Sequence, residues 1–361
     1  MAVALARRQM ERWRGSREPR GSDGMSNLVR HRLFWPVAML LLLLVGNLAF
    51  TPGFFAIELR DGHLFGALID ILRQGAPLML VALGMTLVIA TGGIDLSVGA
   101  VVAISGALAC QQISQLGDQG AVGGVLVAVA LALLLCAGLG LWNGFLVGVV
   151  GIQPIIATLI LMIAGRGVAQ LITGGQIINV NSPPYKAIAT GFLLAVPVPV
   201  IIAAALVAVV ALVTRRSAFG MLLESVGGNA GASRLAGIRS RQLIIIAYVA
   251  CAVCAGVAGL MVSSTVSSAD GNNAGLLIEL DAILAVVIGG TSLLGGRFSI
   301  AGTVVGALLI KTLDTTIYTI GIPPEVTLLF KAVVVVVLCL VQAPAFRARF
   351  ARRRPTAEVS A

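Results

Sequence analysis

The chain has 361 residues, is 58% hydrophobic and 11% charged, and carries a formal net charge of +10. Soluble chains hold roughly a quarter of their residues as charges, so an ordinary soluble domain is excluded, and a mean hydropathy of +1.02 points to lipid as the solvent. Nor does the positive charge point to nucleic acid: eight arginines lie in residues 1–32, five in 214–242 and five in 347–354, the distribution of cytoplasmic tails and loops rather than of one basic binding face.

Residues 1–32 are expected to be a disordered, basic, cytoplasmic N-terminus, with Met25 an alternative start. The apolar run from Leu33 to Phe50 is long for a signal sequence, and NLAFT lacks a small-x-small cleavage site, so no cleavable signal is read here. A helix needs about 20 apolar residues to cross a bilayer, and such runs recur as far as Val341. They are unbroken, unlike the short alternating segments of a membrane barrel.

Ten spans are drawn, near 34–50, 66–90, 97–113, 121–148, 154–172, 192–213, 242–264, 280–294, 298–318 and 326–342. An even number places both basic termini on the cytoplasmic side, and the arginine-rich loop after the sixth span falls there too. The exterior loops (51–65, 114–120, 173–191, 265–279 and 319–325) then hold only Arg60 and Lys186 as cations. The expected fold class is all-α: a polytopic integral membrane protein with about ten transmembrane helices and both termini cytoplasmic. Residues 33–342 form one membrane domain, and 343–361 a basic cytoplasmic tail. Spans three and eight are the shortest and are flanked by glycines.

The second and third spans are joined by TGGIDLSVG (91–99). Gly92-Gly93 breaks a helix, Asp95 is ionisable and Ser97 can cap the next helix. Two readings stand side by side: a broken helix beside a polar path, or a tight interfacial turn with Asp95 as a cap. The fourth and fifth spans carry Asn143 and Arg166. Gly140, Gly144 and Gly148 repeat every four residues, as do Gly302 and Gly306, a spacing that lets helix backbones approach.

The loop at 214–242 breaks the hydrophobic run with arginines and glycines. Gly227-Gly228 ends any preceding helix, Asn229 is a good N-cap, Ala230 to Ala236 supplies about two turns, and Gly237 is placed to stop them. Further on, Glu279 and Asp281 open the eighth span, where simple capping is the better reading for Glu279. A second glycine-rich break, GGTSLLGG (289–296), contains Thr291.

The cysteines lie inside apolar runs and read as packing residues; Cys251 and Cys254 form a C-x-x-C with no second pair. No lysine follows a glycine as in a phosphate-binding loop, there is no H-E-x-x-H, and His31 and His63 are the only histidines. No enzyme site is read on this chain. Transport would draw its energy from a partner ATPase or from an ion gradient. An ion-coupled secondary transporter is therefore the alternative, with Asp70, Asp281 and Asp314 as loose candidates.

TGGIDLSVG (91–99), GNAGASRLAGI (228–238), ELDAILAVVIGGTSLLGG (279–296) and FKAVVVVVL (330–338) together resemble the permease subunits of bacterial ABC importers for monosaccharides, the ribose/xylose/arabinose/galactose permease family. IDILRQGAP (69–77) and ADGNNAGLLIELDAILAVVIGG (269–290) are most similar to the galactofuranose-type permease. The resemblance implies a bacterial inner-membrane subunit that works with an ABC ATP-binding subunit, a periplasmic sugar-binding protein and a second permease, identical or related. It implies ATP and Mg used by the partner and no cofactor on this chain. Gly228, Asn229, Ala232, Arg234, Gly237 and Ile238 fall on the family's ATPase-coupling loop, although Ala230 stands where an acidic residue is frequent. Asp95, Ser97, Asn143, Arg166, Asp281 and Thr291 are the candidate residues of the translocation path.

Overall fold

Apolar segments without internal breakers coil into helices, and in this chain glycine pairs and X-Pro steps set where they stop. The computed structural model describes residues 33–50, 53–60 and 62–321, with residues 323, 326, 329, 331–333 and 336. The basic N-terminus with Met25, the C-terminal tail, Cys339 and most of the expected tenth span lie outside the described residues.

The helices are α1 (Phe34–Phe50), α2 (Ala67–Ala90), α3 (Val98–Ser114), α4 (Val122–Phe145, continued by a π-helical turn Leu146–Val150), α5 (Pro154–Thr173), α6 (Pro183–Thr190), α7 (Val198–Arg216), α8 (Phe219–Gly228), α9 (Ala230–Leu235), α10 (Ser240–Val266), α11 (Ile278–Ile288) and α12 (Ile300–Ile320). Three two-stranded antiparallel ladders of two or three residues each join loops at their bases: β1 (Glu58–Arg60) with β2 (His63–Phe65), β3 (Ile178–Asn179) with β6 (Ser268–Ala269), and β4 (Phe192–Leu193) with β5 (Val196–Pro197). Among the described residues, six helices are long and apolar enough to cross a membrane: α2, α4 with its π turn, α5, α7, α10 and α12. The shorter α1 and α3 are apolar as well.

Two expected boundaries moved. The sixth span begins at Val198 instead of 192, because 192–197 forms the β4–β5 hairpin, with Leu194 and Ala195 at positive φ. Over the expected eighth span, α11 stops at Ile288 before Gly289-Gly290. Eleven residues rise only about 16 Å, half the thickness of a hydrocarbon core.

Helices α2 and α10 form the centre. Every residue from Leu78 to Ala90 is buried, and α10 buries Ala247, Tyr248, Cys251, Ala255 and Ala258 against the same cluster. The outer helices invert the soluble pattern. Helix α4 buries Ala128, Ala132, Cys136, Gly140 and Gly144 and exposes Leu126, Leu134 and Trp142. Small residues face protein and large apolar ones face outwards, the arrangement for packing helices where lipid is the solvent. A Cβ on Gly140 would lie 2.7 Å from the Tyr248 carbonyl, and one on Gly144 2.8 Å from Ile245 Cα. That stripe therefore packs directly on α10, as do Gly302 and Gly306 of α12 on Gly289 and Ala285.

These close contacts also set the register. Gly259 meets Val102 and Gly106 meets Ser263, so α3 runs parallel to the far half of α10. Carried back four residues, Val98 stands level with Ala255, about 22 Å along the roughly 40 Å of α10. Helix α11 runs antiparallel to α12, and the same count puts Ile278 level with Leu313. Both α3 and α11 thus begin near half-height.

Candidate functional site

The residues expected to form a coupling loop make a capped turn. Asn229 takes extended backbone and its Oδ1 accepts the Ala232 N–H at 2.9 Å, satisfying one of the free donors at the start of α9. Gly237 at φ +83° reverses the chain, and the Ile238 N–H returns to the Ser233 carbonyl at 2.9 Å. The buried Ser233 hydroxyl donates to the Ser225 carbonyl, fixing α9 on α8. Ile238 packs against the core, while Arg234 and Leu235 point outwards, Leu235 with 92% of its surface free.

Directly beneath, three glycine breaks meet backbone to backbone. The Gly296 N–H donates to the Ala90 carbonyl at 3.1 Å. A Cβ on Gly227 would collide with that same carbonyl and with the Gly296 nitrogen, and one on Gly295 would lie 2.9 Å from Gly227 O and Gly92 Cα. Beside this junction is a cleft of about 680 Å³ lined by Met221, Glu224, Gly228, Ser292 and Arg297. Leu294, 90% exposed, stands near it in sequence.

Asp95, Ser97 and Asn143 are brought together. The Ser97 N–H (3.0 Å) and hydroxyl (2.6 Å) both donate to Asp95 Oδ1, and Asn143 Nδ2 donates to Ser97 Oγ at 2.9 Å. All three are 1% exposed, so the Asp95 turn is not at a solvated surface. Asn143 Oδ1 and the Tyr248 hydroxyl, which would touch a Cβ on Gly93, are buried without partners in this region. Ser97 starts α3 without a side-chain bond to the helix, its hydroxyl being committed to Asp95.

The other three candidates sit apart. Thr291 closes the second glycine break: its Oγ1 accepts the Ser299 N–H at 3.2 Å, and Ser299 in turn caps α12. Asp281 is held by Lys331 Nζ at 2.8 and 3.0 Å, and Lys331 also binds Asp314 at 2.9 Å. Arg166 donates through Nη1 to the Ala274 carbonyl at 2.5 Å and the Asn272 carbonyl at 3.4 Å. In that loop the Asn273 amide and neighbouring backbone N–H groups hold the Asp270 carboxyl below its ordinary range. The Lys331 triad was hidden in the sequence because its members are up to 50 residues apart. Among the described residues no three His, Cys, Asp or Glu side chains gather to hold a metal ion.

A profile described as "Branched-chain amino acid transport system / permease component" matches residues 67–339. The galactofuranose transporter permease protein YtfT of Escherichia coli is 50% identical over 88% of this chain and 93% of its own length. The fructose import permease protein FruF of Bifidobacterium longum is 41% identical over 90% and 91%, and the ribose import permease protein RbsC of Escherichia coli 37% over 84% and 91%. No solved structure matches.

Proposed function

Since the chain belongs to the family of branched-chain amino acid transport system permease components, we propose that it is the transmembrane permease of an ATP-driven ABC importer that carries a monosaccharide across the bacterial inner membrane. The observation that carries this reading is the 50% identity, over nearly the whole of both chains, to a galactofuranose permease. Relatives named for fructose and ribose support a sugar and leave galactofuranose as the first substrate to try.

In this reading the chain crosses the membrane ten times as one domain, with both basic ends in the cytoplasm. Two permeases, identical or related, form the path. A periplasmic binding protein delivers the sugar, and an ATP-binding subunit that uses ATP and Mg docks on the cytoplasmic loops. Exposed Met221, Leu235 and Leu294, with Arg234 next to Leu235 in the chain, supply apolar and cationic docking contacts. Force on α9 enters the Gly227–Ala90–Gly296 junction, where backbone touches backbone with no side chain to absorb it. From there it passes to the Asp95 turn and to the break at 289–296. The chain itself does no covalent chemistry.

The test is uptake by proteoliposomes holding the chain with its ATP-binding subunit, supplied with the binding protein. Uptake should require ATP and survive ionophores. Uptake that follows an ion gradient instead would favour the secondary-transporter reading. The pairing of Asp281 and Asp314 with Lys331, with Lys311 near enough for its charge to act on both, already weighs against that alternative.

A further inference from the structure

Helices α3 and α11 both start at half-height, and they start against each other. A Cβ on Gly99, in the first turn of α3, would meet the Gly275 carbonyl at 2.7 Å and would collide with Glu279 Oε2 in the first turn of α11. Two helix N-termini therefore converge, each with unmet N–H groups and the positive end of its dipole. Two carboxylates answer them. Asp95, before α3, is occupied by the Ser97 N–H and hydroxyl. Glu279 is only half satisfied: it is 6% exposed, and its Oε2 is buried with no hydrogen-bond partner.

A buried carboxylate oxygen without a donor is costly, and what it lacks is an O–H or N–H. Across the 270–274 loop, Arg166 is near enough for its charge to act on Glu279. Its Nη1 is anchored on main-chain carbonyls, so its other N–H groups remain uncommitted. Gln170 bonds Asn272 Oδ1 at 2.5 Å, and Asn272 and Asn273 are exposed. With Asn273 Nδ2 given to Asp270 and Asn272 Oδ1 to Gln170, the Asn273 Oδ1, the Asn272 Nδ2 and the guanidinium are left to meet hydroxyls, and a carboxylate accepts from a further one. The charges also exclude other ligands. Glu279 repels an anion, while Arg166 and the two helix ends repel a cation.

We propose that the meeting point of α3 and α11, with Glu279 as acceptor and Arg166, Asn272 and Asn273 as its rim, is a contact site for the hydroxyls of a neutral sugar inside the membrane domain. This rests on the importer reading above and adds the place and polarity of the substrate contact.

The reconstituted complex tests it, with labelled galactofuranose, fructose and ribose as probes. Glu279→Gln keeps the shape and removes the charge. It should cut uptake by roughly tenfold or more, while ATP hydrolysis stays stimulated by the sugar-loaded binding protein. In Asn272→Cys, labelling by a membrane-impermeant maleimide should slow when sugar is added, and Glu279→Gln in the same chain should remove that protection. Unchanged uptake in Glu279→Gln, or labelling of Asn272→Cys that no sugar slows, overturns the proposal. Should Glu279→Gln not fold, Asn272→Ala with Asn273→Ala on the exposed loop takes its place, and normal uptake in that variant has the same meaning. Uptake by the unsubstituted complex that does not need ATP would instead defeat the importer reading, and the labelling experiment would still decide the site.

Discussion

Asp95, Ser97 and Asn143 form a chain in which each donor is used in one direction: Asn143 gives to Ser97, and Ser97 gives to Asp95. Replacing Asn143 by Ala removes the first link and leaves a fully buried hydroxyl without its donor. A thermal melt of the purified protein should show a loss of about 1–2 kcal/mol, and uptake should fall with it. Gly237 is a different kind of residue. At φ +83° no side chain is strained by contact, since nothing lies within 4 Å of where its Cβ would stand. The cost of Gly237→Val is therefore in the backbone alone, about 1–3 kcal/mol. That strain should unseat α9 and lower both uptake and stimulated ATP hydrolysis. If both survive, α9 is not the coupling element.

Among elements, α11 depends on its neighbours. It is too short to cross a membrane and is held at its start by the Asp281–Lys331–Asp314 triad, in which the Lys331 side chain is 13% exposed. Lys331→Met would leave Asp281 and Asp314 sharing the charge of Lys311, one cation short in a largely buried place. The expected loss is about 3 kcal/mol, read as a lower melting temperature in detergent. Lys331→Met combined with Asp281→Asn, which removes one charge of each sign and leaves Asp314 to Lys311, should recover much of it. A double variant no more stable than the single one would show that the triad does not hold α11. The helix positions were largely legible in the sequence, because apolar length and glycine breaks act locally. α9 in particular was legible residue by residue: Asn229 as cap, Gly237 as stop. The triad was not, since nothing local tells Asp281 which lysine it will meet. Glu279 was read as a cap for its own helix, and only the contact with Gly99 shows that it also faces the start of another.

At the scale of the whole molecule, the Gly227, Gly92 and Gly295 breaks are one structure. Gly227→Ala would drive a methyl group into the Ala90 carbonyl, where both partners are main chain and neither can rotate away. The complex should still assemble and bind its ATP-binding subunit, but the sugar-loaded binding protein should no longer stimulate hydrolysis. Normal stimulation would mean that force does not travel through this junction.

By itself the sequence determined the mostly helical character, the arginine-marked loop with its capped turn, the small-residue stripes and the absence of a phosphate-binding loop. Each of these depends on composition or on neighbours within a few residues. Tertiary structure alone decided that three separate glycine breaks share one junction, that Asp281 is paired with Lys331, and that α3 and α11 meet end to end around Glu279. Those pairings join residues far apart in the chain, and packing at van der Waals distance, not local propensity, selects them.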